Sequence, residues 1–173
     1  MNILTNISDW WKRITYTEPD EEQLKKALLR VLADDPETSR IFDGMKKHYG
    51  ENTGETSTFS IITGTCPGDT EAQTMVYPSG VEIVVDVAKV RRMRDSLEAV
   101  LGHELRHAYE AFEMGLDAYI QKVNGEGGKD WWHKDVEISA IAAEDQLRAR
   151  LLATGKYNTI APTRAGQNRR AHI

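Results

Sequence analysis

The segment from Asp95 to Gly115, DSLEAVLGHELRHAYEAFEMG, sets the strongest condition on how this chain can fold. Leu97, Val100, Leu101, Leu105, Ala108 and Phe112 recur at helical spacing and predict one buried stripe. Asp95 stands three residues before Glu98, the pattern of a capping box, so the helix is expected to begin near Asp95. Gly115 supplies its stop, which takes the helix to about Met114. Inside it lie His103, Glu104 and His107, spelling H-E-x-x-H. Whatever fold the chain adopts has to pack that stripe and also place those two imidazoles, which share one helix face about 6 Å apart.

That separation lets one nitrogen of each ring reach a single Zn²⁺ at about 2.0–2.1 Å. Glu104, the next residue round the helix, is angled beside such an ion rather than onto it. There it can take a proton from zinc-bound water and hand it to a leaving amine. One zinc ion per chain is the expected cofactor.

Catalytic zinc takes three protein ligands and keeps a position open. A third histidine at H-E-x-x-H-x-x-G-x-x-H spacing is missing, since Glu110 and Glu113 occupy the relevant positions. The last predicted helix, about Asp135 to Ala153, offers Glu137 and Glu144 instead. They share a face with Ile141 and Arg148 but stand almost two turns apart, about 10 Å, so one ion is not expected to take both. Ala140, Ala142 and Ala143 make this helix thin enough for close approach to a neighbour. Glu137 is the preferred ligand. Glu144 is the alternative ligand, or it orients a ligand histidine, or it pairs with Arg106 or Arg148. His133, just before the helix, is a further candidate as ligand or as donor to a developing oxyanion. Tyr109, Tyr119 and Arg148 are the other candidates for oxyanion or substrate contacts, with no preference among them.

Elsewhere, PDEEQLKKALLRVLADD predicts a helix over about 20–34, with Pro19 and three acids at its start. A second helix is expected to start at Pro36 and end before Gly50. Three β-branched runs follow: Phe59–Thr63, AQTMVY, and Val81–Val87 after a Pro78-Ser79-Gly80 turn. These predict a small antiparallel sheet. The fold class expected is α+β, the sheet packing on the H-E-x-x-H helix and on the glutamate-bearing helix. Residues 18–155 are expected to form one domain, with 1–17 as a leader carrying Trp10 and Trp11 and 156–173 as a loosely held basic tail.

Composition narrows the partners. The 173 residues carry a net charge of -5, which argues against nucleic acid. The single cysteine, Cys66, excludes an internal disulfide and a Cys-rich zinc cluster. MNILTNISDWWKR lacks a basic start followed by a long apolar run, so no Sec signal is expected and synthesis in a cytoplasm is. No window is long and apolar enough to suggest a membrane span.

GHELRHAYEAFEMG followed by EISAIAAEDQLR resembles the short-spacer, gluzincin-type zinc metallopeptidases of bacterial effectors and toxin domains, and in particular the NleD-like effector peptidase family. There an H-E-L-x-H-A helix precedes a helix with an E-x-x-A signature. The resemblance covers roughly residues 80 to 152 and leaves the N-terminal third and the tail unmatched. It implies a zincin-like metallopeptidase with metal on His103, His107 and Glu137 and Glu104 as base. It also implies export into a host or prey cell by specialised secretion machinery, with or without a chaperone.

The expected partner is a protein or peptide lying along an edge strand, for which GVEIVVDVA is the candidate. Trp131, Trp132 and His133 would wall the cleft, and the glycine-rich loop 124–130 would act as a lid. Two other readings use the same residues: a zinc-binding interaction or regulatory module with vestigial catalysis, and a metal-dependent amidase acting on cell-wall material.

Overall fold

The computed structural model describes residues 19–52, 58–128 and 134–157. The leader 1–17, the aromatic pair Trp131 and Trp132, His133 and most of the tail lie outside the described residues. Among those described, the architecture is α+β. In chain order the elements are α1 (Pro19–Asp34), α2 (Pro36–Asn52), β1 (Thr58–Thr63), β2 (Ala72–Tyr77), β3 (Gly80–Val85), α3 (Val87–Met93), α4 (Leu97–Met114), α5 (Leu116–Gly125) and α6 (Asp135–Ala153).

Asp35 alone separates α1 from α2. Its Oδ2 accepts from the Thr38 backbone N–H at 2.8 Å and from Thr38 Oγ1 at 2.7 Å, which caps α2. The same carboxylate receives the Arg150 fork from α6. Neighbouring Asp34 accepts from Lys156 Nζ and Tyr157 Oη, so the chain just beyond α6 is fastened to α1 rather than loose.

The sheet is mixed where the sequence pattern predicts an antiparallel one. Its order is β1-β3-β2, with β1 parallel and β2 antiparallel to β3. The β2–β3 hairpin turns at Pro78-Ser79 and closes on Gly80, whose φ of 153° and contact with the Thr58 backbone leave no room for a side chain. The parallel pairing arises from the loop 64–71, which crosses the end of β3. Gly64 donates to Val85 O at 3.0 Å, and Asp86 donates to Glu71 O at 2.8 Å. Lys89, buried on α3, donates to the carbonyls of Cys66, Gly68 and Thr70 at 2.6, 2.8 and 3.0 Å. This loop therefore delivers β2 to the side of β3 opposite β1. It also makes β3 the central strand, paired on both edges, so GVEIVVDVA cannot receive an added strand.

The second helix runs on through Gly50 to Asn52, past its expected end, and the boundaries of β3 and α4 differ from expectation as well. β3 stops at Val85 because Asp86 turns to cap α3, accepting from the Lys89 N–H at 2.9 Å. α4 is capped by Ser96, whose Oγ accepts from the Ala99 N–H at 3.3 Å, and not by Asp95. Asp95 is drawn away by Arg148, which donates to its Oδ1 at 2.7 Å.

α4 is the hub of the molecule. Leu101, Leu105, Ala108, Ala111 and Phe112 are buried, and α6, α2, α1, α5, β2 and β3 pack around it. Gly115, at a φ of 91°, is the one-residue junction through which the chain folds back as α5 against α4 and β2. This helix adds to the elements expected from the sequence. No helix among the described residues is long and apolar enough to cross a membrane.

Candidate metal centre

His103 and His107 project from one face of α4 and are buried, at 2% and 6% exposure. Glu137 reaches them from the first turn of α6. Nε2 of His103 lies 3.1 Å from Nε2 of His107, and Glu137 Oε2 lies 3.5 and 3.6 Å from these two nitrogens. The point equidistant from the corners of that triangle is about 2.0 Å from each, the length of a bond from imidazole nitrogen or carboxylate oxygen to a zinc-sized ion. Glu137 Oε2 is buried and has no hydrogen-bond partner, an arrangement that is costly unless a cation completes it. These residues can hold a metal ion.

The close approach of α4 and α6 brings the donors together. A methyl group built on Gly102, next to His103, would overlap Cδ2 of Leu147 on α6. On α6, Ala140 is fully buried, whereas Ala142 is exposed. Glycine on one helix and alanine on the other therefore set the spacing. α6 lacks a side-chain cap of its own, and Glu126, just past α5, accepts from the Asp135 N–H at 3.2 Å. This fastens the start of the helix that carries Glu137. Residues 124–128 form a helix end and a turn; 129 and 130, the rest of the expected lid loop, lie outside the described residues.

Each imidazole is also held from behind. His103 Nδ1 lies 3.0 Å from Glu144 Oε2, and His107 Nδ1 lies 3.2 Å from the Tyr119 hydroxyl on α5. With their Nδ1 atoms so engaged, both rings turn Nε2 toward Glu137. Burial first, and then Glu110, Glu137, Glu104 and Glu126, push the Tyr119 phenol well above its ordinary range, so it remains an O–H.

Glu104 stands outside the three converging donors. Its Oε2 accepts from Thr74 Oγ1 on β2 at 2.7 Å, and the same hydroxyl lies 3.2 Å from its backbone carbonyl. Glu144 is fully buried and joins His103 to Arg148 instead of entering the donor triangle. Arg106 does not pair with Glu144; its Nε donates to Glu110 at 2.8 Å. Arg148 is fully buried between Glu144 and Asp95, and Tyr109 directs its hydroxyl to Glu113 while its ring covers Gly44. Neither faces the donors. His133 lies outside the described residues. Thr74, Gly102 and the pairing of Tyr119 with His107 were not anticipated. Only α5 had a signal in the sequence, the helical spacing of Leu116, Tyr119, Ile120 and Val123.

The chain matches no protein-family model, no curated protein and no solved structure.

Proposed function

We propose that this chain is a zinc-dependent metallopeptidase that hydrolyses peptide bonds of a protein substrate. The observation that carries the reading is the triangle of His103 Nε2, His107 Nε2 and Glu137 Oε2, whose spacing is compatible with zinc. Two imidazoles and one carboxylate make a catalytic donor set, because three protein ligands leave coordination open. When bound, zinc supplies a Lewis acid that polarises a carbonyl and acidifies water.

The chain's own residues do the rest. Glu104 accepts the proton of the attacking water at its carboxylate and delivers it to the amide nitrogen of the departing product. Thr74 holds that carboxylate and fixes its direction. Thr74 also ties the base to β2, an edge strand whose outer side pairs with no strand among the described residues. An extended peptide adding itself to β2 would run past Glu104. Glu144 and Tyr119 keep both ligand rings turned toward the donor triangle.

The H-E-L-x-H-A helix and the E-x-x-A run from Glu137 to Ala140 support a gluzincin-type, zincin-like relative of the NleD-like effector peptidases. On that reading the chain is a secreted effector or toxin acting on host or prey proteins.

Purified protein should carry about one zinc per chain by mass spectrometry. Glu104→Gln should keep that zinc and lose about 10²–10⁴-fold in cleavage of a peptide library. Absence of zinc sinks the proposal, and unchanged cleavage removes Glu104 as the base. Release of muropeptides with intact peptides would favour the cell-wall amidase reading.

A further inference from the structure

Arg148 is the largest fully buried side chain among the described residues, and α6 could have placed an aliphatic residue there. Instead its guanidinium lies between two carboxylates. Nε donates to Glu144 Oε1 at 2.9 Å, Nη2 donates to the same oxygen, and Nη2 also donates to Asp95 Oδ1 at 2.7 Å. Glu144 gives its other oxygen, Oε2, to His103 Nδ1 at 3.0 Å. Asp95 Oδ1 further accepts from the Ser96 N–H at 2.7 Å, at the residue that caps α4. The route therefore starts at the N-terminus of α4, crosses to α6, and returns to α4 at the metal-facing ring.

We propose that Asp95 and Arg148 are positioning residues for His103, acting through Glu144 to fix which ring nitrogen carries the hydrogen and which faces the metal site. A carboxylate gripped by an arginine fork is acceptor on both oxygens. The His103 nitrogen facing Glu144 is accordingly the N–H, and the lone pair is left on Nε2, the atom in the donor triangle. Asp95 fixes the guanidinium from the opposite side, so the fork cannot swing away from Glu144. His107 has a different support, the neutral Tyr119 hydroxyl. The two ligand rings are thus held unequally, with the charged network behind His103 alone.

The inference rests on the metal reading for its purpose, but its test does not require cleavage. In metal-free protein labelled with ¹⁵N-histidine, the wild type should show His103 in a single form, with hydrogen on Nδ1. Arg148→Met and Asp95→Asn should convert that signal to a mixture of tautomers and leave the His107 signal in place. Zinc affinity, measured by competition with a chromophoric chelator, should fall about 10–100-fold in Arg148→Met and less in Asp95→Asn. Arg148→Lys should restore part of the loss. Should Arg148→Met fail to fold, Asp95→Asn decides, since Asn keeps an acceptor for Ser96 while losing its charge toward Arg148. A folded Asp95→Asn variant with a wild-type His103 tautomer and wild-type zinc affinity overturns the proposal. If the wild type binds no zinc, the peptidase reading falls and the tautomer signal alone decides this one.

Discussion

Thr74 on β2 donates its hydroxyl to the Glu104 carboxylate at 2.7 Å. The carboxylate we propose as the base is therefore held by the sheet, although it is carried by the helix that also carries His103 and His107. A hydrogen bond to a charged acceptor contributes roughly 1.5–3 kcal/mol. Thr74→Val keeps the branched shape that suits a strand and removes only the hydroxyl. Cleavage should drop about tenfold to a hundredfold with zinc content unchanged, as read by peptide-cleavage kinetics beside metal analysis. A loss of zinc in this variant would show that Thr74 supports the ligands and not the base.

Removal of the metal should be visible in stability. A ligand bound only by the folded state at about 1,000 times its Kd adds about 4 kcal/mol. For a chain of this size that is on the order of 10 °C in Tm. Calorimetry with and without chelator should show such a shift in the wild type. Glu137→Ala, lacking the third donor, should show almost none.

Gly102→Ala tests the spacing of α4 and α6. Alanine is better than glycine in a helix by about 1 kcal/mol. The new methyl must displace Leu147, and overpacking costs about 1–3 kcal/mol. Stability should change little or fall slightly. Zinc affinity should fall further than Tm does, because widening the contact moves Glu137 away from the histidines. Retained affinity in a folded variant would mean that Leu147 repacks without moving α6.

Acid stability should depend on Asp35. Burial raises its carboxyl, but the Arg150 fork and the two Thr38 donors outweigh this and hold it below its ordinary 3.8. A depressed folded value means the stabilisation is complete above the unfolded value and is lost as pH falls through the folded one. Denaturant titrations should show wild-type stability declining below about pH 4. Asp35→Asn should be less stable at neutral pH by about 1–3 kcal/mol, a buried-pair loss discounted for the half-exposed Arg150. Its decline with acid should be shallower. An unchanged slope would assign the acid sensitivity to other carboxylates.

Local pattern was legible in the sequence and long-range order was not. The helix α4 was nearly bounded by its own residues, because apolar spacing and a terminal glycine act within a few turns, and α6 ends just before its own Gly155. Helix geometry and the small residues of α6 pointed to a carboxylate from that helix near the histidines but left Glu137 and Glu144 as alternatives. The strand order did not follow, because it depends on Lys89 gathering three carbonyls of a preceding loop, a contact with no periodic signature. The capping box failed for a similar reason. Asp95 is a good local cap, but a buried arginine from a distant helix competes for it. α6 shows no clean apolar stripe because Glu144 and Arg148 occupy its buried face.

The corner at Asp34 and Asp35 has a bearing on how this protein could be trimmed. The part of the chain that carries the recognisable motif begins well after α2, which invites excision of a smaller fragment around that motif. The corner grips Arg150, Lys156 and Tyr157 at the far end of the ligand-bearing helix. Leu28, Val31, Phe42 and Met45 bury themselves in the same core as α4. A fragment starting at the sheet would expose that apolar surface and release one end of α6, so the motif-free N-terminal helices and the helices that carry His103, His107 and Glu137 form a single indivisible folding unit.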